Sequence, residues 1–152
     1  MLYVGPAPPL VRAWKELGHR RAADLAARLV AERISPPAAD AVTFVPPDPG
    51  RQLRRGRHPA QALACRLGPA WSLDVLPLLV RRHRASRQAG LGRADRARNI
   101  RGAFVAACAV PRRVVLVDDV YTTGATAAAA ASALRRAGAT RVDVVSFART
   151  VR

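Results

Sequence analysis

The sequence predicts one α/β domain, a mostly parallel, twisted sheet with helices on both faces. Three observations lead there. The 152 residues fit a single domain spanning 1–152, since domains run to roughly 100–200 residues. Half of them are apolar, which is enough to build a core and argues against wholesale disorder. Short β-prone runs alternate with helix-period segments, as in strand–helix–strand units that stack into a parallel sheet.

Taken in order, 8–34 reads as helical, with Leu10, Val11, Trp14 and Leu17 on one face and Ala22, Leu25, Leu29 and Ile34 continuing it past Gly18. AVTFV at 41–45 is a strand stopped by Pro46-Pro47, which cannot continue a ladder. After a Gly/Arg-rich loop, Pro59 suits the first position of a helix reaching about Leu67. Leu73–Val80 is a strand candidate that Pro77 marks as an edge or a bulge. The basic stretch 81–102 shows no period and reads as a long loop of the functional kind. Phe104–Ala109 and Arg113–Val117 are strands, the second with the apolar run VVLV. An Ala-rich helix over Gly124–Ala137 stops at Gly138, and Arg141–Phe147 is the last strand.

Charge narrows the partners. There are 26 Lys+Arg against 10 Asp+Glu, a net of +16. All the basic residues except Lys15 are Arg, a bias that a GC-rich genome also produces. The charge is nevertheless concentrated: Arg51 to Arg113 holds 15 Arg against Asp74 and Asp95, a local balance of +13. Such a field attracts phosphates, on a nucleotide, a pyrophosphate or a nucleic-acid backbone. Cys65 and Cys108 form no CxxC pair and have no neighbouring His, which excludes a disulfide framework or zinc site. His19, His58 and His83 lack ligand spacing; His58 alone sits where it could donate to a phosphate. Trp14 and Trp71 read as packing residues. No apolar run approaches the roughly 18 residues of a membrane span. The amino-terminal sequence lacks the layout of a secretory signal, so a cytoplasmic location is expected.

The informative segment is Val114-Val115-Leu116-Val117-Asp118-Asp119-Val120-Tyr121-Thr122-Thr123-Gly124-Ala125-Thr126. It reads as an apolar strand, two acids, then a hydroxyl- and glycine-rich turn opening a helix. Ligands of parallel α/β sheets bind at the carboxyl ends of strands, where this turn must lie. Successive backbone N–H groups at a helix N-terminus cradle phosphate. Thr122, Thr123 and Thr126 add hydroxyl donors, and Gly124 lets an anion approach the backbone. Asp118 and Asp119 can accept hydrogen bonds from the two hydroxyls of a ribose, or help hold a divalent cation. A ribose bearing a 5′-phosphate is the ligand described. The competing reading of an isolated D-x-x-T is that Thr122 or Thr123 merely caps the helix.

The whole string resembles the phosphoribosyl-pyrophosphate (PRPP) motif of type I phosphoribosyltransferases, with Tyr121 where a smaller aliphatic is usual. Upstream, Val45-Pro46, Arg54-Arg55-Gly56 and Ala60-x-x-Leu63-Ala64 are similar to a stretch of the ComF/GntX family of competence-associated phosphoribosyltransferase-like proteins. Arg84, Gln88, Leu91, Arg96, Asn99 and Gly102-Ala103-Phe104 resemble a second stretch of that family, and Lys15 a lysine of its first helix. Arg57-His58-Pro59 departs from the family's FNQ, and no cysteine-rich zinc module like the family's precedes the domain in this sequence.

The resemblance implies a type I phosphoribosyltransferase-like fold with ribose and phosphate held by Asp118, Asp119, Thr122, Thr123, Gly124, Ala125 and Thr126. It implies that 46–58 receives pyrophosphate through Arg54, Arg55 and Gly56. Residues 81–102 would form a closing lid whose Arg84, Gln88 and Arg96 touch the same group. It also implies Mg²⁺, held directly or indirectly by Asp118 and Asp119, and displacement of pyrophosphate from the ribose by a nitrogen nucleophile. No residue stands out as a general base. The alternative is a competence or DNA-uptake factor that binds single-stranded DNA, or a PRPP sensor without turnover. Aromatics at 5% count against a stacking-based single-strand binder. A homo-oligomer is compatible with either reading.

Overall fold

Three helices bury the same pattern of small residues. The structure, a computed structural model, describes residues 20–47, 58–82 and 102–149. Helix α1 (Arg20–Ala31) buries Ala23, Ala26, Ala27 and Val30. Helix α2 (Pro59–Ala70) buries Ala60, Leu63, Ala64 and Leu67. Helix α3 (Ala125–Arg136) buries Ala127, Ala130, Ala131 and Leu134. Each set is spaced i, i+3, i+4, i+7, one stripe of a 3.6-residue helix, and the alanines let the helix axes come close to what they cover. In α1 this corrects the sequence expectation. Leu25, predicted inward, is 36% exposed, because the stripe runs through the alanines one residue away, while Leu29 and Ile34 pack only at its margin.

The strands are β1 (Ala41–Phe44), β2 (Leu79–Arg81), β3 (Phe104–Ala106), β4 (Arg113–Tyr121) and β5 (Arg141–Arg149). Among the described residues the main sheet has the order β1-β4-β5, wholly parallel, with Ala41 opposite Val114 and Arg113 opposite Arg141. Its two faces are both covered. Val115 and Val117 of β4 pack with α1, α2 and Trp71, whereas Val114 and Leu116 pack with α3. Full burial on both sides is why this strand reads as a continuous apolar run rather than an alternation. Each of the fully buried Leu63, Leu67, Leu116 and Leu134 contributes about 1.5–3 kcal/mol of transfer free energy.

Two expected strands are shorter. Leu73–Val80 is broken at Pro77: Val75 makes one parallel bridge to Val42, and β2 begins only at Leu79. Phe104–Ala109 ends as a strand at Ala106. These two short strands form a separate antiparallel ribbon, Leu79 opposite Ala106 and Arg81 opposite Phe104. Arg81, read from sequence as the first loop residue, is thus a strand residue whose guanidinium lies 5.1 Å from the Phe104 ring centroid. The ribbon brackets residues 83–101, which lie outside the described residues. No helix among the described residues is long and apolar enough to cross a membrane.

Candidate functional site

The topology places a switch point at the carboxyl ends of β1 and β4. The helix that follows β1 packs on one face of the sheet, and the helix that follows β4 packs on the other. Neighbouring strands whose following helices pack on opposite faces are the arrangement at which ligands of parallel sheets bind. β1 makes its last pair at Phe44–Val117, and the Val45 N–H donates to the Val117 carbonyl at 3.0 Å. β4 runs on four residues further, to Tyr121. Sequence reading ended this strand at Val117; the structure carries it through both acids because β5 continues alongside, Asp118 opposite Ser146 and Tyr121 opposite Arg149.

Asp118 is buried and Asp119 half-buried. Each is held by its own main chain: Asp118 Oδ1 accepts from the Asp119 N–H and Asp119 Oδ1 accepts from the Val120 N–H, both at 2.9 Å. The acids are thereby fixed against the strand rather than left to sweep through solvent. Three residues later the chain turns. Gly124 is the N-cap of α3 at φ +74°, a left-handed conformation, and as a glycine it has no side chain to cap the helix. Thr123 Oγ1 accepts from the Ala125 N–H at the long distance of 3.4 Å. Of the capping alternative for Thr122 and Thr123, the structure shows this one long contact from Thr123. The first N–H groups of α3 point outward from a helix end that carries partial positive charge, beside the exposed Thr122 and Thr123.

Tyr121 is the residue that sequence reading undervalued. A Cβ added to Gly124 would fall 2.1 Å from the Tyr121 Oη and 2.5 Å from its Cζ. The phenol is thus wedged into the turn, against the glycine that gives it its shape. The Arg149 guanidinium lies over the same ring, 5.6 Å from its centroid. The only available sequence signal was the aromatic where a small aliphatic is usual.

The structure brings Asp118, Asp119, Thr122, Thr123, Gly124, Ala125 and Thr126 together over one strand end and one helix start. The expected pyrophosphate group, Arg54, Arg55, Gly56, Arg84, Gln88 and Arg96, lies outside the described residues, as do Lys15 and Trp14. His58 is the N-cap of α2, its Nδ1 accepting from the Gln61 N–H at 3.4 Å. Trp71 is buried in the α1/α2 cluster, as expected of a packing residue. Cys65 and Cys108 are both exposed.

No protein-family model matches the chain. The fold is that of type I phosphoribosyltransferases. It is similar to the glutamine PRPP amidotransferase from B. subtilis complexed with ADP and GMP (TM-score 0.63, 21% identity, 90% of this chain and 30% of that one). It is also similar to the orotate phosphoribosyltransferase from Aeropyrum pernix (TM-score 0.52, 23% identity, 88% of this chain and 74% of that one). In sequence the chain is 36% identical over 115 residues to Competence protein F of Haemophilus influenzae, which covers 72% of this chain and 50% of that protein. The chain thus spans about half the length of that relative. It is 33% identical over 159 residues to the DNA utilization protein YhgH of Salmonella typhi, covering 95% of this chain and 69% of that protein. On those identities, and on a fold that agrees with them, the chain belongs to the ComF family.

Proposed function

We propose that the chain binds PRPP at the ends of β1 and β4 and transfers its phosphoribosyl group, releasing pyrophosphate, to a nitrogen nucleophile. One observation carries the reading. A helix N-terminus opened by a left-handed glycine, its first N–H met only by a long contact to Thr123 Oγ1, follows directly on a strand bearing Asp118 and Asp119. Outward N–H groups suit a phosphate, and neighbouring carboxylates suit the hydroxyls of a ribose. Transfer from PRPP places growing negative charge on the departing pyrophosphate, which the Arg-rich segments at 51–57 and 84–101 would stabilise.

Mg²⁺ fits as a cation that arrives with its phosphate ligand. Among the described residues no group of three or more His, Cys, Asp or Glu could hold a metal. Mg²⁺, however, is commonly bound through one or two carboxylates plus substrate phosphates, and Asp118 and Asp119 supply the carboxylates. When bound, the ion would neutralise charge on the leaving pyrophosphate.

Calorimetry with PRPP and Mg²⁺ tests the reading. The native chain should bind, and the variant carrying Asp118→Asn and Asp119→Asn should bind roughly 10- to 100-fold more weakly, the worth of a hydrogen bond to a charged group. Unchanged affinity in that variant would remove the ribose assignment.

A second reading is supported by the +13 stretch and by the names of both relatives, one a competence protein and one a DNA utilization protein. In it, the same site and its basic rim serve single-stranded DNA, or PRPP is sensed without turnover.

A further inference from the structure

The pair at the paired ends of β4 and β5 has no part in the folding core, yet it shapes the turn. Tyr121 and Arg149 are register partners on adjacent parallel strands. The Tyr121 Oη occupies the space beside Gly124 that any other residue's Cβ would need. The Arg149 guanidinium, exposed at the strand end, lies over the ring. A ring wedged at this point limits how far the turn can relax, and so holds Gly124 left-handed and the α3 N–H groups splayed outward. A guanidinium over the same ring is held by the attraction of a cation for an aromatic face. Its exposure at the strand end leaves its N–H donors within reach of an oxygen anion.

We infer that Tyr121 and Arg149 together set the selectivity of the turn for a sugar phosphomonoester: Tyr121 is a positioning residue, and Arg149 supplies the side-chain cation that faces the phosphate. The backbone N–H groups alone would accept any small anion. A fixed positive charge beside them favours the dianionic phosphate of a ribose 5-phosphate moiety over singly charged or neutral groups. The inference rests on the PRPP reading, because it deepens the role of that same turn.

Calorimetry with ribose 5-phosphate, and separately with inorganic pyrophosphate, tests it in the full chain. The pyrophosphate is the other half of PRPP and is expected at the Arg-rich segments instead. Arg149→Gln should weaken ribose 5-phosphate about tenfold, as loss of a charge-assisted contact does, and leave pyrophosphate unchanged. Arg149→Lys should recover most of the loss, which a purely structural role would not. Tyr121→Phe keeps the wedge and should bind within about twofold of native, whereas Tyr121→Ala should lose ribose 5-phosphate affinity. Because Arg149 is exposed, its variants remain informative if Tyr121→Ala fails to fold. Native-like ribose 5-phosphate affinity in Arg149→Gln, or an equal loss for pyrophosphate, overturns the inference while leaving the PRPP reading intact. A native chain that binds neither ligand overturns both.

Discussion

Asp40 and Arg113 clasp the amino ends of two adjacent parallel strands, at the opposite end of the sheet from the Asp118–Thr126 turn. The Arg113 N–H donates to Asp40 Oδ2 at 2.9 Å, and its guanidinium Nε and Nη2 donate to Oδ1 at 3.0 and 2.5 Å. The Asp40 N–H returns the bond to the Arg113 carbonyl at 2.8 Å. The clasp sits one residue before Ala41 meets Val114, so it fixes the register that later brings the carboxyl ends of β1 and β4 side by side.

This relationship predicts an acid-sensitive component of stability. The Arg113 side chain, with its backbone N–H, holds the Asp40 carboxyl below its ordinary value of 3.8. A carboxyl depressed in the folded state stabilises above its ordinary value, and that contribution is lost as pH falls through the lower folded value. Urea denaturation of the native chain and of Asp40→Asn should therefore differ most near neutrality and converge as pH drops below 3.8. Both side chains are solvent-exposed, so the difference should be modest and should shrink in high salt. A gap that stays constant down to strong acid would contradict the linkage.

A second prediction concerns how closely α2 approaches the segment after it. A Cβ on Gly68 would lie 2.3 Å from Val75 Cγ2 and 2.9 Å from the Leu73 carbonyl oxygen, and the Leu73 N–H donates to the Gly68 carbonyl at 2.9 Å. Gly68→Ala should therefore destabilise by about 1–3 kcal/mol, the range for overpacking a well-filled site, despite alanine's better helix propensity. Adding Val75→Ala removes the side-chain collision but not the one with Leu73. The double variant should then recover only part of the loss in a denaturant titration, and full recovery would show the backbone contact to be unimportant.

The sequence revealed what local chemistry decides and hid what neighbours decide. The stop of α3 was legible because Gly138, at φ +113°, is a residue that a left-handed position selects. Val114 to Val117 were legible as a doubly buried strand from their apolar run alone. The extension of that strand through Asp118 to Tyr121 was not, because what carries it is the β5 ladder and the carboxylates' own bonds to the main chain. The inward face of α1 was missed for a related reason. Leucines were given the core, whereas the helix packs through Ala23, Ala26 and Ala27 and leaves Leu25 outside. At the turn, the hydroxyls and the glycine were readable from the string, but the wedge of Tyr121 against Gly124 depends on side-chain direction, which no spacing rule supplies.

The turn itself yields a third prediction. Gly124→Ala places a Cβ in a left-handed conformation, which costs roughly 1–2 kcal/mol, and also drives it into the Tyr121 ring. Stability should fall by at least the conformational cost, and PRPP affinity should fall with it as the N–H groups lose their aim. Combining Gly124→Ala with Tyr121→Leu relieves the overlap and leaves the conformational cost. The pair should accordingly be less destabilised than the sum of the single variants when followed by thermal denaturation; strict additivity would mean that ring and turn are not coupled.

The last prediction separates a small phosphorylated ligand from a nucleic acid as the partner of the basic surface. If the +13 stretch serves only PRPP, its field will still draw single-stranded DNA, but weakly, through release of counterions from the phosphate backbone. Such binding should collapse by ~0.15 M salt, where exposed charges are screened within about 8 Å, and PRPP should displace whatever remains at the site. If DNA is the partner, binding should survive that salt and resist displacement. Arg112→Gln is the informative variant. Arg112 is exposed and precedes β4, opposite the turn; its carbonyl accepts from the Thr140 and Arg141 N–H groups and from the Thr140 hydroxyl, and its guanidinium adds only the smallest of the influences that lower the Asp40 pKa. Arg113, beside it, is unsuitable because its replacement would undo the Asp40 clasp. Arg112→Gln should leave PRPP affinity unchanged under either reading. It should lower DNA affinity, and the slope of that affinity against salt, only if the strand wraps past the site to the far end of the sheet. Fluorescence anisotropy of a labelled single strand across a salt series, with and without PRPP, gives both quantities. The expected result is weak, salt-sensitive binding that PRPP displaces and that Arg112→Gln does not alter. Tight binding at ~0.15 M salt that PRPP cannot displace would instead make DNA the partner of this surface.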